Sequence, residues 1–450
     1  MAGLFGTSGI RGVYGKNITP SLAMHVGSAL GAGSKKAVLA RDARNTSPLL
    51  MRSLASGAMN SGSDVIDAGF APTPVLAYAT FVEKCSGAMI TASHNPPEYN
   101  GIKLFSHGME FTREQEGTVE KAMATPAQPA SWEKAGQISL RDYSKEYIAF
   151  LLKKVDAAAI RKRRPRVLAD CGNAAASKVA PALLRAAGCE VVELFCSDPG
   201  KFSRNLEPKQ ETLSEASKLV AEEKCDFGVA FDGDGDRAIG IDEMGRVMAL
   251  DVQLAVFCSH FLALAGKKAG GARIVSTVES SLCVKETVAS FGAKLSITPV
   301  GSLHVSQETQ EQKAIFGGEP CGEYVFQDSV PCADGLRSAL VLAEIFCSRG
   351  KLSALADAVH TYPIERRKYG CGEQGKGKAM ALLKNSLAAE FRDATLSTID
   401  GLRFDFQDGW LLVRPSGTEP AMRMTCEFRE KKRLDWAVDR AEGAILKAIN

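Results

Sequence analysis

Short apolar segments alternate with amphipathic stretches along most of the chain, and this alternation occurs three times. Each repeat opens with an apolar segment that follows basic residues and has the length of a buried strand. These segments are Ala37-Val38-Leu39-Ala40, Arg166-Val167-Leu168-Ala169 and Arg273-Ile274-Val275-Ser276. A helical pattern follows each of them and ends at a glycine: Gly62, Gly188 and Gly292. Glycine is favoured at that point because it readily adopts the left-handed conformation that ends many helices.

Each repeat continues with a second strand and then a third, and the third strand ends in a polar loop. The second strands are residues 64–66, 190–192 and 294–297, and the polar loops are residues 91–96, 232–237 and 318–323. Strands that alternate with helices predict α/β layers with largely parallel pairing. Because ligands bind at the carboxyl ends of such strands, we expect the three loops to face one cleft.

The pattern changes from about Tyr369 onward. A helical stretch covers residues 377–391, strands surround residues 402–404 and 410–413, and a loop at 414–420 precedes a last strand and helix. This order predicts a smaller α+β domain. The predicted fold is therefore α/β, with three related α/β domains of mixed sheets around a central cleft and an α+β C-terminal domain. The predicted boundaries are 1–145, 146–247, 248–367 and 368–450.

Composition and charge exclude several classes of protein. The chain of 450 residues is 45% hydrophobic and 24% charged, with a net charge of +3, which is ordinary for a globular protein and too weak to indicate nucleic-acid or membrane binding. We interpret the one basic run, residues 161–166, as a solvated helix end or linker. Neither a secretion signal nor a membrane span is predicted. The twelve cysteines form no Cys-x-x-Cys pair and the six histidines no cluster, so we expect reduced thiols in a cytoplasmic protein without zinc.

Three aspartates separated by glycines follow the third strand of the second repeat. Asp232, Asp234 and Asp236 occupy alternate positions and can turn their carboxylates onto one hard cation. An EF-hand calcium loop is the rival interpretation, since Glu243 falls at position twelve counted from Asp232. Position six is Arg237, however, where that loop needs glycine, and both flanks are typical of strands. We predict a catalytic cation site open to a phosphate oxygen; a structural or calcium-sensing site and a solvated acidic turn are the alternatives.

The corresponding loop of the first repeat contains Ser93, followed by His94 and two prolines that restrain the backbone. No Gly-x-Ser-x-Gly segment surrounds Ser93, so a hydrolase triad is not supported. A phosphoserine fits better, because its charge of about −1.5 to −2 could be balanced by a cation on the aspartates. We expect His94 either to orient the serine or to have only a local role. Lys103 is close enough in sequence to reach the serine and act as a general base.

Two further loops and the N-terminal segment carry groups that bind sugars or phosphates. Glu319 and Glu323 could accept hydrogen bonds from sugar hydroxyls, although an ordinary surface turn is equally compatible. The segment Arg414-Pro415-Ser416-Gly417-Thr418 combines a guanidinium, two hydroxyls and a flexible backbone, which suits a phosphate dianion, and Arg423 is expected to join it. The segment Gly6-Thr7-Ser8-Gly9-Ile10-Arg11-Gly12 is also rich in glycine and hydroxyls but is not a Walker loop.

Taken together and in this order, the four loops resemble those of the α-D-phosphohexomutase family, which includes phosphoglucomutase, phosphomannomutase and phosphoglucosamine mutase. The resemblance covers essentially the whole chain. It implies that Ser93 is phosphorylated, that Asp232, Asp234 and Asp236 hold one Mg²⁺ together with it, and that Lys103 and Arg11 assist proton transfer and charge stabilisation. It also implies a sugar 1,6-bisphosphate intermediate. The remaining implied substrate-binding residues are Arg237, Glu319, Cys321, Glu323, Arg414, Ser416, Gly417, Thr418 and Arg423.

The resemblance leaves the hexose open. The third loop departs from the Gly-Glu-x-Ser-Gly-His pattern common in the family, because Cys321 replaces the serine and Glu323 the histidine. The opening segment and this loop look most like those of archaeal phosphoglucosamine mutases, which favours conversion of glucosamine 6-phosphate to glucosamine 1-phosphate. Mannose, glucose and pentose phosphates are alternatives, as are a sugar-phosphate-binding protein without turnover and a metal-dependent phosphatase. The expected partner is a small sugar phosphate, and a homo-oligomer is compatible with the sequence.

Overall fold

The polypeptide divides into two compact units, each built from separate stretches of chain. The computed structural model describes residues 4–6, 8–125, 128–417 and 420–449. One unit comprises Met1–Gln253 and Cys321–Asp357, and the other comprises Leu254–Pro320 and Ala358–Asn450. The first two repeats therefore lie in the first unit, whereas the third repeat contributes residues to both.

The first repeat is a mixed sheet covered by helices. Its strands are β1 (Ile10–Val13), β2 (Lys36–Arg41), β3 (Asp64–Phe70), β4 (Ser86–Ile90), β5 (Tyr99–Ser106), β6 (Met109–Glu110) and β7 (Ile138–Leu140), and its helices are α1 (Pro20–Gly33), α2 (Ser47–Asn60), α3 (Thr73–Glu83) and α4 (Arg113–Met123). The strand order is β1-β5-β4-β2-β3-β7, with β6 beside β5. The pairs β4–β2, β2–β3 and β3–β7 are parallel, and β5 runs antiparallel to β1 and β4.

Glycines allow α1 and α2 to pack backbone against backbone beside this sheet. A Cβ at Gly27 would lie 2.0 Å from the Leu54 carbonyl oxygen, and one at Gly57 would lie 2.0 Å from the Met24 carbonyl oxygen. Neither position has room for a side chain, since such distances are far inside van der Waals contact. Close packing of these helices holds β2 and the residues that follow it in place.

The second repeat has a smaller sheet of the same kind. It contains β8 (Arg166–Asp170), β9 (Glu190–Leu194), β10 (Phe227–Phe231) and β11 (Ala238–Ile241), with helices α5 (Ser144–Leu152), α6 (Ala157–Arg163), α7 (Val179–Ala187) and α8 (Ser214–Glu222). The order is β11-β10-β8-β9, in which β8 is parallel to both neighbours and β11 is antiparallel to β10. Every residue of β10 is buried, so the loop that follows it starts from a fixed point.

Three later elements complete the first unit: β15 (Tyr324–Phe326), α12 (Gly335–Arg349) and α13 (Leu352–Asp357). Helix α12 begins with Asp334 as its N-cap, and this carboxylate also accepts a hydrogen bond of 2.7 Å from the Tyr147 hydroxyl. Its first residue, Gly335, packs against the loop after β10, because a Cβ there would lie 2.6 Å from the Arg237 carbonyl oxygen. The buried helix α12 thus supports that loop.

The second unit joins the rest of the third repeat to the C-terminal domain. Its elements are α9 (Leu250–Ala265, which starts in the first unit), β12 (Arg273–Thr277), α10 (Leu282–Ser290), β13 (Lys294–Thr298), α11 (Ser302–Glu311), β14 (Phe316–Gly318), β16 (Ile364–Gly370), α14 (Glu373–Glu390), β17 (Thr395–Ser397), β18 (Leu402–Asp405), β19 (Gly409–Pro415), β20 (Ala421–Phe428) and α15 (Lys431–Ile449). Strand β12 is parallel to β13 and β14. The C-terminal sheet is antiparallel, in the order β16-β20-β19-β18-β17.

A buried carboxylate ties the C-terminal sheet to the third repeat. Glu427 of β20 is 1% exposed. It accepts hydrogen bonds from the Ser281 hydroxyl at 2.6 Å, the Leu282 amide at 2.8 Å and the Trp410 indole at 2.7 Å. A buried charge needs such partners to offset its loss of hydration. These contacts join the C-terminal sheet to the third repeat within the second unit.

The predicted fold class is confirmed: three α/β repeats precede a smaller α+β domain. The glycines predicted to end the helical segments have the expected backbone, with φ of 84° at Gly62, 111° at Gly188 and 67° at Gly292. One segment, Leu250–Gly271, has the length and mean hydropathy (1.2) of a membrane span. Half of it is buried, which is equally typical of a core helix.

Candidate active site

The loop between β10 and β11 gathers three buried carboxylates. Asp232, Asp234 and Asp236 are at most 3% exposed, and each offers an oxygen within 4.8 Å of the others. Gly235, at φ 76°, supplies a left-handed residue that turns the loop. The strand–loop–strand geometry agrees with the prediction against an EF-hand, because strands rather than helices flank the loop.

Ser93 lies directly against this aspartate loop. It follows the buried strand β4, and its Oγ donates a hydrogen bond of 2.7 Å to Asp232 Oδ2. The approach depends on Gly233, where a Cβ would lie 2.1 Å from the Ser93 carbonyl oxygen. Ser93 itself has φ 49°, a left-handed conformation that is uncommon for residues with a Cβ. The structure therefore brings together the serine and aspartate loops of the first and second repeats.

The carboxylate cluster fits a divalent cation. Burial, and then the charges of Asp236 and Asp234, raise the pKa of Asp232 well above its ordinary value. Burial, and then Asp234, raise the pKa of Asp236 to about 6. The buried oxygens Asp234 Oδ1 and Asp236 Oδ1 have no hydrogen-bond partner. A hard cation with oxygen ligands would relieve this repulsion and satisfy those oxygens. Asp232, Asp234 and Asp236 are the residues that would hold it.

Lys103 also belongs to the cluster. Its Nζ lies 2.9 Å from Asp234 Oδ2 and 2.8 Å from Asp236 Oδ2, and its side chain is 2% exposed. Burial alone would lower the pKa of Lys103, but the two carboxylates outweigh burial and raise it. Lys103 is consequently held as a cation, which favours charge stabilisation over proton abstraction as its contribution.

His94 and Arg11 flank the serine. His94 Nδ1 is 3.2 Å from Ser93 Oγ. Burial, followed by the charges of Arg237 and Arg11, lowers the pKa of His94 to about 2, so its imidazole is neutral at physiological pH. Arg11 reaches the same loop, because its Nη1 lies 3.4 Å from Asn95 Oδ1.

Arg237 and Glu323 connect the aspartate loop to the third polar loop within the first unit. Glu323 Oε1 lies 2.8 Å from Arg237 Nε and 2.7 Å from its Nη2, and the two residues also form a backbone bridge. Cys321 is half-buried two residues earlier. Glu319, which belongs to the second unit, accepts a hydrogen bond of 3.0 Å from the Gly301 amide at the start of α11.

The predicted phosphate loop lies at the end of β19. Arg414 and Arg423 are directly opposite each other on β19 and β20, so their side chains share one face of the sheet. Arg414 is only 9% exposed and lies 3.2 Å from the carboxylates of both Glu279 and Asp400. Its Nε is buried without a partner. Two arginines in one register favour an anion between them.

Ser416 and Gly417 follow on this loop. The Ser416 amide donates to the Ala421 carbonyl at 2.8 Å, and its own carbonyl accepts a hydrogen bond of 2.7 Å from Lys376 Nζ. Lys376 was not predicted, because it is remote in sequence from the loop. Thr418 lies outside the described residues.

Comparisons with known proteins assign the whole chain. Residues 2–130, 145–245 and 251–362 match the phosphoglucomutase/phosphomannomutase alpha/beta/alpha domains I, II and III, and residues 373–442 match the C-terminal domain of the same proteins. A probable phosphoglucosamine mutase of Methanosphaera stadtmanae is 37% identical over 99% of this chain and 98% of its own.

The chain belongs to the phosphoglucomutase/phosphomannomutase family.

The resemblance to the phosphohexomutases is therefore confirmed, and the chain is an enzyme of this class. A phosphoglucomutase/phosphomannomutase of Thermococcus kodakarensis is 38% identical to the enzyme over 96% of both chains. Among solved structures, a phosphoglucomutase/phosphomannomutase family protein of Burkholderia thailandensis has a TM-score of 0.88 at 28% identity, covering 99% of this chain and 97% of its own.

Sequence reasoning missed one residue that completes the aspartate cluster of this phosphohexomutase. Thr73 donates a hydrogen bond of 2.6 Å from Oγ1 to Asp234 Oδ2, and its amide donates to the Asp234 carbonyl at 2.8 Å. It begins α3, directly after β3 and the turn that follows. Its place at the carboxyl end of a strand is the signal that could have identified it.

Proposed function

We propose that this enzyme interconverts the 6-phosphate and 1-phosphate of a hexose in the cytoplasm, through a phosphate carried on Ser93, and that its preferred hexose is glucosamine. The observation that carries the proposal is the 2.7 Å hydrogen bond between Ser93 Oγ and Asp232 within the buried carboxylate cluster. A serine in this setting is suited to phosphoryl transfer, because catalysis there consists mainly of positioning and charge neutralisation. All twelve cysteines are free thiols, which is typical of a reducing compartment.

In the proposed cycle, phosphorylated Ser93 transfers its phosphoryl group to the free oxygen of the bound hexose monophosphate. The bond between phosphorus and Ser93 Oγ breaks, a bond to the sugar oxygen forms, and the proton of the sugar hydroxyl is transferred to Ser93 Oγ. The resulting 1,6-bisphosphate reorients, and its other phosphoryl group returns to Ser93 Oγ. In this return step the bond from phosphorus to the sugar oxygen breaks, and the serine proton is transferred to that oxygen. Ser93 Oγ lies 2.7 Å from Asp232 Oδ2 and 3.2 Å from His94 Nδ1, which orient it.

The surrounding residues have distinct proposed tasks. Mg²⁺ held by Asp232, Asp234 and Asp236 would neutralise charge on the transferring phosphoryl group. Lys103 adds a fixed positive charge beside the same carboxylates. In the second unit, the loop of Arg414, Ser416 and Gly417 with Arg423 would bind the distal phosphate, which is present in both orientations of the bisphosphate. Thr418 is proposed to bind the same phosphate.

The choice of glucosamine rests on two observations. Three curated relatives that match nearly the whole chain at 36–38% identity bear the name phosphoglucosamine mutase or probable phosphoglucosamine mutase. The third polar loop, which we propose to recognise the sugar, also resembles that of archaeal phosphoglucosamine mutases, with Cys321 in place of the serine common in the family. Its Glu319 can accept a hydrogen bond from a protonated amine, whereas Glu323 is already paired with Arg237. Glucose and mannose are the second candidates for the preferred hexose, because the relative from Thermococcus kodakarensis is named a phosphoglucomutase/phosphomannomutase.

A substrate comparison tests this proposal. We expect kcat/KM for glucosamine 6-phosphate to exceed the values for mannose and glucose 6-phosphates by about tenfold or more, with Mg²⁺ and the matching bisphosphate present. A higher value for either neutral hexose would contradict the choice of glucosamine. Release of inorganic phosphate faster than isomerisation would indicate a phosphatase instead. Binding of all three sugars without turnover would indicate a non-catalytic protein.

A further inference from the structure

One buried arginine in the first unit holds the backbone of the serine loop. The Arg44 side chain is 0% exposed, and a guanidinium offers five N–H donors. Arg44 uses one of them on Asp42 Oδ2 at 3.0 Å. The other four go to the carbonyl oxygens of Ser93, Asn95, Pro96 and Tyr99 at 2.8, 2.7, 2.5 and 3.0 Å. Every donor of this guanidinium is thus used, and four of them fix the loop that carries the nucleophile.

Asp42 connects the same network to the other side of Ser93. Its Oδ1 accepts the Arg44 amide at 3.0 Å and the Ser47 hydroxyl at 2.6 Å. Its Oδ2 accepts the Thr91 hydroxyl at 2.8 Å, and Thr91 Oγ1 in turn accepts the Ser93 amide at 2.9 Å. The amide and the carbonyl of Ser93 are therefore both tied to the pair formed by Asp42 and Arg44.

This arrangement addresses a specific conformational problem. Ser93 has φ 49°, which residues with a Cβ adopt only when the surrounding structure imposes it. In this conformation its Oγ points to Asp232. Without restraints on both sides, the loop would relax to a more common backbone and move Oγ away from the carboxylates.

We propose that Asp42 and Arg44 form a loop clamp, a pair of positioning residues that holds Ser93 in its left-handed conformation for phosphoryl transfer. The loop clamp acts through Ser93 and touches no reacting atom. It rests on the proposed function, since its effect on turnover requires Ser93 to be the phosphoryl carrier. Loss of the clamp should reduce kcat, because a displaced nucleophile reacts slowly, while KM stays nearly constant, because substrate-binding loops are unaffected.

The second repeat contains a related pair, which supports a positioning role. Arg204 Nε lies 2.7 Å from Asp170 Oδ2, and its Nη2 donates to the Phe231 carbonyl at 2.7 Å. Phe231 directly precedes Asp232. Asp170 ends β8, just as Asp42 follows β2, so each pair extends from the first strand of its repeat to the loop after the third strand. The same device thus fixes both loops of the candidate active site.

The test compares Arg44→Lys, which keeps the charge but loses the fork of donors, with wild type. We expect kcat to fall roughly 100-fold, with KM changed less than about threefold. Phosphorylation of Ser93 by the bisphosphate should slow by a similar factor. In Arg44→Ala, added guanidinium should restore part of kcat, whereas sodium at equal ionic strength should not. Arg166→Lys is the matched control: Arg166 begins β8 of the second repeat, at the end of that strand away from Asp170, and its side chain contacts Glu190 and Glu223.

Two further variants keep the outcomes distinct. Thr91→Val removes only the hydroxyl between Asp42 and the Ser93 amide, and we expect about a tenfold lower kcat with the fold retained. A wild-type kcat in Arg44→Lys would overturn the loop clamp. If the arginine variants do not fold, a wild-type kcat in Thr91→Val would overturn it. Absence of guanidinium rescue in a folded Arg44→Ala enzyme would also overturn it. Turnover by Ser93→Ala would instead overturn the proposed function, whatever the Arg44 variants do.

Discussion

In the first two repeats a charged pair binds a backbone carbonyl at or just after the end of the third strand, whereas in the third repeat a hydroxyl group binds the corresponding carbonyl. Arg44 with Asp42 binds the serine loop, and Arg204 with Asp170 binds the start of the aspartate loop. In the third repeat the corresponding carbonyl, that of Gly318, accepts a hydrogen bond of 2.7 Å from the Ser276 hydroxyl of β12. The same topology therefore carries two different kinds of restraint.

The difference matches what each loop has to do. The loops of the first two repeats bring together a nucleophile and carboxylates, whose separation must be correct to a fraction of an ångström for phosphoryl transfer. A guanidinium provides several donors in a rigid plane and suits that requirement. The third loop is proposed to recognise a sugar, and there a single hydroxyl holds the carbonyl at the end of the third strand. Farther along this loop, Glu323 is paired with Arg237. The kind of restraint at each strand end thus matches the task proposed for its loop.

The largest expected effect comes from the nucleophile itself. Ser93→Ala should lower kcat by roughly 10⁴-fold or more, because it removes the proposed phosphoryl carrier, while substrate binding persists. Steady-state kinetics and equilibrium binding of the sugar phosphate check this result. Ser56→Ala, on the exposed face of α2, is the control and should behave as wild type. Turnover above about a tenth of wild type in Ser93→Ala would refute the serine carrier.

The next largest effect is expected from substitution of a carboxylate in the aspartate loop of the second repeat. Asp234→Asn preserves shape but removes charge from a group that contacts Thr73 and Lys103. We expect the Mg²⁺ concentration for half-maximal activity to rise by about 10- to 100-fold, because anionic oxygen ligands dominate affinity for this ion. A Mg²⁺ titration of activity measures it. Asp198→Asn, an exposed aspartate outside the aspartate loop, is the control, and an unchanged Mg²⁺ requirement in Asp234→Asn would contradict the cation site.

Arg204→Lys tests whether the pair of Arg204 and Asp170 has a different task from the pair of Arg44 and Asp42. Since Arg204 holds the carbonyl that precedes Asp232, its loss should raise the half-saturating Mg²⁺ concentration by about tenfold, and excess Mg²⁺ should restore most of kcat. Excess Mg²⁺ should not rescue Arg44→Lys, whose defect is in the serine loop. If both variants respond to Mg²⁺ in the same way, the two pairs do not have separate tasks.

The smallest effect is expected at a charged pair remote from both loops. Glu83 lies 2.6 Å from Lys36 and from Arg141, and its hydrogen bond with Lys36 is the main cause that lowers the pKa of Glu83. A carboxylate with a lowered pKa stabilises the fold above its ordinary pKa, and this stabilisation is lost as pH falls through the folded pKa. Glu83→Gln should therefore reduce the free energy of unfolding by at most about 1 kcal/mol at pH 7.

The difference in free energy of unfolding between Glu83→Gln and wild type should vanish in acid, because Glu83 is then protonated in both the folded and the unfolded protein. Urea unfolding at neutral and acidic pH measures it, and kcat should stay at the wild-type value throughout. A loss of kcat in Glu83→Gln would show that a charged pair remote from the serine loop also affects turnover. A loss of kcat in the Arg44 variants would then no longer indicate a specific positioning role.

Local pattern predicted the repeats and the loops that meet, but it did not predict what restrains them. The glycines at 62, 188 and 292 and the aspartates at alternate positions are visible over a few residues. The contacts of Arg44 join residues about fifty positions apart, and no local periodicity encodes such pairs. The polar group Arg41-Asp42-Ala43-Arg44 at the carboxyl end of β2 was nevertheless a usable signal.

Helix packing partners were equally hidden from the sequence. The residues that cover α12 are far from it in the sequence: Asp334 at its start binds Tyr147, and Phe346 lies 6.0 Å from Phe227, ring centre to ring centre. The ion pair of Arg237 and Glu323 is another long-range contact. An unusual residue such as Glu323 marks the position, whereas only the structure identifies its partner.

The most direct test of the central claim is to locate the phosphate on the protein. The enzyme is incubated with hexose 1,6-bisphosphate and Mg²⁺, digested, and its peptides are mapped by mass spectrometry. We predict phosphate on Ser93, and its transfer to the sugar when hexose monophosphate is added. Phosphate on a different residue, or turnover with no phosphate on the protein, would contradict the account.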